Sequence, residues 1–382
     1  MEGLNGSDGW CDSTPEYRML RETVRKFARE RVAPQAEEQD EKGHLNIPLF
    51  REVGDLGVLG VTVPEADGGA GLDTTAAVII THELAKADAG FAMAYAAHAV
   101  LFVSNFNNSA NAEQRKKYLP KSLTGEWIGA LCMTEPGAGT DLLGMTSRAV
   151  RQGDSYILDG SKMFITNGPE AALFFLYAKV NDRITSFVVE RGFRGVEVGL
   201  PIPKVGMRSS SMAEVRLDHV PIPVENLLGQ EGEGLKHMMR NLEVERLVLS
   251  AISLGIADRC LEVMVKYAGE RKAFGKTLNQ FGQIQRHIAE SYAKTEAMRA
   301  LIYRVARSTD QGKQNRLDTD AAKLFSSTAA KEVADSAIQV LGGYGYCREY
   351  QVERFWRDAK LLEIGGGTVE AHQKNITKDL SR

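Results

Sequence analysis

The run Thr134-Glu-Pro-Gly-Ala-Gly-Thr-Asp141 packs a proline and two glycines into one short stretch. Such residues break helix and strand and leave backbone N–H groups free to face an anion. Thr140 adds a hydroxyl, and Asp141 is placed to cap the helix or turn that follows. A glycine-rich loop is often only a turn, so its neighbours decide. Asp159-Gly-Ser-Lys-Met-Phe-Ile-Thr-Asn-Gly168 reads as a hairpin turn running into an aromatic strand through Phe164. A donor loop beside an aromatic strand suits a flat cofactor that carries phosphate. Later, Arg271 offers a guanidinium that matches a phosphate fork, and Gly342-Gly343 lets backbone approach a ligand closely. Leu242-Glu-Val-Glu-Arg-Leu-Val-Leu249 carries two acids. Glu243 and Glu245 are two positions apart, so a helix would turn them to roughly opposite sides. A glutamate with an ordinary pKa of about 4.3 becomes an efficient base only if burial raises it toward neutrality.

The elements that would position these groups fall into three parts. Residues 1–128 read as helical. Leu20, Val24, Phe27 and Ala28 share a face, with Pro34 as a stop; a helix is predicted from Thr75 through Lys86, and a short charged one from Glu113 to Tyr118. Residues 129–233 read as a compact antiparallel β domain. Tyr156-Ile-Leu, Asp159-Gly160 and Met163-Phe-Ile predict a hairpin with a type I′ turn. Leu173 to Val180 and Ile184 to Val189 are short β-rich runs, and Val215 and Leu217 alternate with polar neighbours. Pro221 and Pro223 close the segment, and Gly229 to Gly234 reads as a linker. Residues 234–382 read as a helical bundle. Leu247, Ala251, Leu254, Leu261 and Met264 form an apolar stripe, and Ala321 to Val340 repeats the pattern until Gly342-Gly343 ends it.

The chain has 382 residues, enough for two or three units, and its 43% hydrophobic and 25% charged content is that of an ordinary soluble globular protein. A net charge of -3 gives no electrostatic case for nucleic acid or an anionic membrane. Cys11, Cys132, Cys260 and Cys347 are widely spaced with no CxxC, which fits free thiols in a reducing compartment. The seven histidines show no metal-ligand spacing, so no metal is expected. No apolar stretch reads as long enough to span a bilayer, and membrane insertion is not expected. The first dozen residues read as neither signal nor transit peptide. A cytoplasmic location is expected, or the mitochondrial matrix for a processed eukaryotic protein.

The strings Thr134–Asp141, Asp159–Gly168, Arg271–Gly275, Gln339-Val-Leu-Gly-Gly343 and Gly367-Thr-Val-Glu370, in that order, resemble the acyl-CoA dehydrogenase family of flavoproteins. The resemblance covers essentially the whole chain. It implies an α+β fold with an N-terminal helical domain, a middle antiparallel β domain and a C-terminal four-helix-bundle domain. It also implies FAD. The Leu131, Met133, Thr134, Gly139 and Thr140 backbone and the strand residues Phe164, Ile165 and Thr166 would hold the flavin. Arg271 and Phe274 would reach an FAD bound mainly by a neighbouring subunit, with Gln339, Gly342 and Gly343 along its adenosine end. Thr368 and Glu370 would close over the cofactor in the same subunit. A cofactor shared in this way implies an oligomer, usually a homotetramer. Phe164 stands where many relatives have Trp, Gly282 where they often have Gln, and Ser211 where they have an acid.

The family removes the α-proton of an acyl-CoA thioester as the β-hydride leaves for the flavin. Most members place the base immediately before the Gly-Thr pair, where this chain has Gly366. Its backbone N–H could still bond the thioester oxygen. A minority carry the base on an earlier helix, in a motif that matches Glu245. Glu243 is the rival, facing solvent or CoA, and Arg246 would contact the pantetheine arm. Gly365 and Gly366 read as leaving room for a branch at C3, and Leu101, in Ala97-His-Ala-Val-Leu101, would shape the pocket floor beside Thr140. Isovaleryl-CoA or another short branched acyl-CoA is the expected substrate, with an electron-transfer flavoprotein as electron acceptor. Straight-chain acyl-CoAs, an oxygen-using flavoenzyme and a non-catalytic family member are the alternatives.

Overall fold

The computed structural model describes residues 14–312 and 316–381. Cys11 and the reading of the first dozen residues lie outside them. The chain begins with helix α1 (Pro15–Phe27), capped by the Thr14 side chain, and passes through a wide turn (Ala28–Val32) into a 3-10 turn holding Pro34. Helices α2 (Ala36–Lys42) and α3 (Ile47–Asp55) follow. Helix α4 (Thr74–Ala87) starts at Asp73, which caps the Ala76 N–H, and agrees with the predicted Thr75–Lys86 to a residue at each end. Asp88 both ends α4 and caps α5 (Ala89–Ala96). α5 runs on as a π-helical segment (Ala97–Ser104) and a last turn to Asn107. This run, Ala89–Asn107, is long and apolar enough to cross a membrane by length and composition, contrary to the sequence reading, but 94% of its most apolar window is buried inside the fold. Helix α6 (Ala112–Leu123) opens with a capping box between Asn111 and Gln114.

The middle segment forms strands β1 (Gly129–Cys132), β2 (Arg148–Gln152), β3 (Ser155–Thr166), β4 (Leu173–Val180), β5 (Arg183–Glu190), β6 (Val196–Val198), β7 (Met212–Pro223) and β8 (Leu227–Leu228). They join in the order β6-β7-β3-β2-β4-β5-β8, with β1 added beside β4. The sheet is mixed rather than antiparallel throughout: β1 runs parallel to β4, as does the end of β2, because a helical excursion or long loop separates those strands. The predicted turn at Asp159-Gly160 is absent. β3 continues through it, and the register against β7 shifts between Leu158 and Gly160. Gly160 is a bulge at φ +155, where any Cβ would collide with Ser147. The hairpin itself turns earlier, at Gly153-Asp154 between β2 and β3. Pro221 and Pro223 lie within β7 rather than after it.

The C-terminal part contains α7 (Gly234–Glu270), α8 (Gly282–Asp310), α9 (Arg316–Leu341), α10 (Val352–Leu362) and α11 (Val369–Leu380). α7 is the axis, packed against α4, α8, α9 and α10. Leu247, Ala251, Leu254, Leu261 and Met264 are buried as their spacing predicts. One continuous core joins the N-terminal helices to this bundle, and separate apolar clusters cover the sheet. All three parts meet at residues 204–211. Asp88 accepts from Ser209 at 2.6 Å, Asp358 accepts from the Met207 N–H, and Arg208 donates to the Asp40 carbonyl. Ser211 accepts from Leu45 N and donates to Glu170, so the residue replacing the family's acid ties the β domain to the N-terminal helices.

Candidate active site

The glycine-rich loop is held by one buried ion pair. Glu135 accepts from Thr146 N and Oγ1, from Ser147 N and from Lys162 Nζ at 2.8 Å. Burial alone would raise the Glu135 carboxyl, but Lys162 and these hydrogen bonds hold it down at about 2. Lys162 is the inward residue of β3 and also reaches the Met133 carbonyl. The Met163 N–H then donates to the Thr134 carbonyl at 2.9 Å, so loop and strand are one unit, as expected. Gly137 and Gly139 would have nothing within 4 Å of an added Cβ, and Thr140 is exposed. Asp141 does not cap: its side chain accepts no helix N–H, and only its backbone carbonyl joins the following turn. Leu131, Met133, Thr134 and Thr166 are half-buried, Ile165 is buried, and Phe164 stands 57% exposed at φ +61.

A second group converges around Glu245. The residue is 7% exposed, and Oε2 of its carboxyl is buried with no hydrogen-bond partner among the described residues. Burial pushes the carboxyl up to about 7, opposed by the nearby charges of Arg246 and Lys323. Lys323 is buried, donates to the Leu362 carbonyl, and is brought down to about 8 by desolvation. Glu243 is only partly buried, and burial raises it as well. Gly366 faces Glu245: a Cβ on Gly366 would lie 3.5 Å from Glu245 Oε1. Its N–H meets no acceptor among the described residues. The space expected beside Gly366, however, is not free. A Cβ there would overlap Leu249 Cδ1, and the φ of +68 favours glycine. Arg246 is buried and bonds Asp320 Oδ2 at 3.2 Å.

Three family models match the chain in succession: the N-terminal domain of acyl-CoA dehydrogenase over residues 14–126, the middle domain over 130–220 and the C-terminal domain over 232–381. The chain belongs to the acyl-CoA dehydrogenase family. The dehydrogenase is 38% identical to mitochondrial isovaleryl-CoA dehydrogenase of Oryza sativa subsp. japonica, over 97% of this chain and 91% of that protein. Its fold is similar to butyryl-CoA dehydrogenase of Megasphaera elsdenii, with a TM-score of 0.94, 35% identity and 97% and 99% of the two chains covered. A chain in the structure of the electron transferring flavoprotein of Acidaminococcus fermentans matches equally well, with a TM-score of 0.94, 36% identity and 97% and 98% covered. Members of this family are in general flavin-dependent enzymes.

The remaining expected residues of the dehydrogenase are dispersed over two further places. Arg271, Gly342 and Gly343 line one open cavity of about 540 Å³, together with Tyr267, Tyr344 and Cys347. Gln339 is exposed on α9 nearby, and Phe274 stands 95% exposed on the tip of a small hairpin. Thr368 caps α11 by accepting from Ala371 N, with Glu370 exposed in the first turn and Gly365 half-buried before it. Leu101 is buried in the π-helical run that packs on β1 and α7. The Glu135–Lys162 pair, and the partners of Arg246, went unread in the sequence. Their members lie far apart along the chain, and single charged residues carry no mark of burial.

Proposed function

We propose that this enzyme is an FAD-dependent dehydrogenase of short branched acyl-CoA thioesters, isovaleryl-CoA first among them. The observation that carries the chemistry is the Glu245 carboxyl, buried, short of a partner and poised at about 7 beside Gly366. A carboxyl in that state accepts a proton near neutrality far better than an exposed one. Glu245 takes the α-proton of the thioester. The unbonded Gly366 N–H donates to the thioester oxygen as charge gathers there, which lowers the cost of removing that proton.

The residues present fit the cofactor. Gly137 and Gly139 leave the loop surface open to a close ligand, and Phe164 offers an aromatic face beside it. Leu131, Met133, Thr134, Gly139, Thr140, Ile165 and Thr166 would hold the flavin, with Thr368 and Glu370 nearby in the same subunit. Arg271, Phe274, Gln339, Gly342 and Gly343 would serve the FAD of a neighbouring subunit in a homotetramer. Bound FAD would supply the acceptor for the β-hydride. An electron-transfer flavoprotein is the proposed electron acceptor, in the cytoplasm or the mitochondrial matrix. Thr140, Leu101, Arg246 and Gly365 are assigned to the substrate side.

The branched-chain assignment rests on the base position on α7 and on the similarity to an isovaleryl-CoA dehydrogenase, since Leu249 fills the gap beside Gly366. Anaerobic bleaching of the flavin by isovaleryl-, butyryl- and octanoyl-CoA tests it. Fastest bleaching by isovaleryl-CoA supports it, and bleaching by straight chains alone discards the branch. Glu245→Gln should keep its yellow cofactor and bleach roughly 10²–10⁴-fold more slowly, the usual worth of a general base. Undiminished bleaching in that variant would falsify the assignment of the base.

A further inference from the structure

His372 is a buried titratable residue that the proposed reaction does not use. It lies on α11 and is 1% exposed. Its Nδ1 meets Asp320 Oδ1 at 2.5 Å, and its Nε2 meets the Gly367 carbonyl at 3.1 Å. The Gly367 carbonyl can only accept, so the Nε2 contact is a hydrogen bond when the ring donates there. Asp320 is fully buried on α9 and is shared: its other oxygen accepts from Arg246, the residue after Glu245, and Asn375 approaches Oδ1 at 3.4 Å. A continuous path therefore runs Arg246, Asp320, His372, Gly367. It joins the helix that carries the base to the loop that carries the Gly366 N–H.

That loop needs an outside restraint. Gly366 and Gly367 have φ values of +68 and +101, a conformation with no side chain to fix it. The loop's own bonds lie on either side of the pair: Ile364 N and Gly365 N to Leu361 O, and Val369 N to Glu363 O. Between them, Gly367 is met by the ring of His372, five residues on in α11, and Asp320 of α9 ties that ring to the rest of the fold. A Cβ on Gly367 would sit 2.9 Å from Nε2 and Cε1 of that ring, so the imidazole rests directly against the glycine.

We propose that His372 is a positioning residue: held by Asp320, its imidazole grips the Gly367 carbonyl and keeps the Gly366 N–H aimed at the pocket that Glu245 faces. The inference rests on the assignment of Glu245 and Gly366 above. If the grip is lost, substrate should still bind, since its other contacts remain, while the donor to the thioester oxygen strays. The effect belongs on kcat more than on KM.

The test compares the unmodified holoenzyme with His372→Ala and Asp320→Asn, well below their melting temperatures, using whichever acyl-CoA bleaches the flavin fastest. We expect kcat to fall at least tenfold in His372→Ala, with KM within threefold. Amide hydrogen exchange at Ile364, Gly365 and Val369 should quicken at least tenfold while α7 is unchanged, a readout that does not depend on turnover. Added imidazole should restore part of kcat to His372→Ala. Asp320→Asn keeps the local volume and should show the same two changes; it stands alone if His372→Ala does not fold. Unchanged loop exchange, or unchanged kcat with only a lower melting temperature, overturns the proposal. Glu245→Gln run in parallel separates the two levels: if it stays active, the reading beneath the proposal fails. If it is dead while His372→Ala is fully active, only the positioning role fails.

Discussion

At the scale of single residues, the proposed function makes the charge state of Glu245 decisive. A base must be ionised before it takes a proton, and burial sets this carboxyl at about 7. Below that pH the ionised fraction drops tenfold per unit. The kcat/KM profile should therefore have an acidic limb with a midpoint near 7, falling roughly fiftyfold from pH 7 to pH 5. A limb centred between 4 and 5 would mean that the carboxyl is solvated, and would remove Glu245 as the base. The same geometry bears on moving the base. Gly366→Glu in a Glu245→Gly background should stay inactive, because the new Cβ overlaps Leu249 and φ is +68. Adding Leu249→Ala should recover measurable bleaching, since a Cβ at Gly366 points to within 3.5 Å of the present carboxylate. Equal inactivity of both variants would show that backbone strain, not Leu249, bars the site. Glu245 was singled out in the sequence because Gly366 stands where the resemblance places the usual acid. His372 and Asp320 were not, because nothing in their neighbours along the chain records that they meet 52 residues apart.

Among the elements, β3 shows how a local signal misleads. Asp-Gly between two apolar runs is a strong hairpin signal, yet here it is a bulge in one long strand. The competing demand is tertiary: β3 must reach from the real hairpin at Gly153 past β7 to place Lys162 against Glu135. The register against β7 shifts at this bulge and shifts again between Lys162 and Ile165. Gly160→Ala should accordingly disturb Ser147, whose N–H bonds Glu135, and cost roughly 1–3 kcal/mol of stability as an overpacked site. Urea unfolding would measure it, and a midpoint shift below experimental error would show that the bulge relaxes freely. Flavin retention should weaken in parallel, because the same contact anchors the glycine-rich loop. The ends predicted for α4, α6 and α9 fall within about one to five residues of the observed ones. Ala89–Asn107 was not picked out, although α4, buried nearly as completely, was read to a residue at each end.

For the whole molecule, the order of helical, β and helical parts was visible in the texture of the chain, while their junction was not. Residues 204–211 donate hydrogen bonds to both helical parts, and no motif there announces it. The outer surface carries the remaining question. Phe274 is 95% exposed at φ +51 on a hairpin tip, and Tyr346 is 84% exposed. Both lie in the same region as the cavity of Arg271 and Gly343. A lone chain gains nothing from a bare phenylalanine in a strained turn, whereas burying one is worth about 1.5–3 kcal/mol. Such a residue is best explained by a second copy of the chain that covers it, which is the arrangement a cofactor shared between subunits needs. Light scattering on the purified protein should then give a mass of four chains. Phe274→Ser should weaken association about tenfold or more per contact, and should release FAD on dilution as the subunits part. A monomer that keeps its flavin would separate the two properties: it would show that each chain holds FAD alone, and that Arg271 and Gly342-Gly343 serve some other ligand.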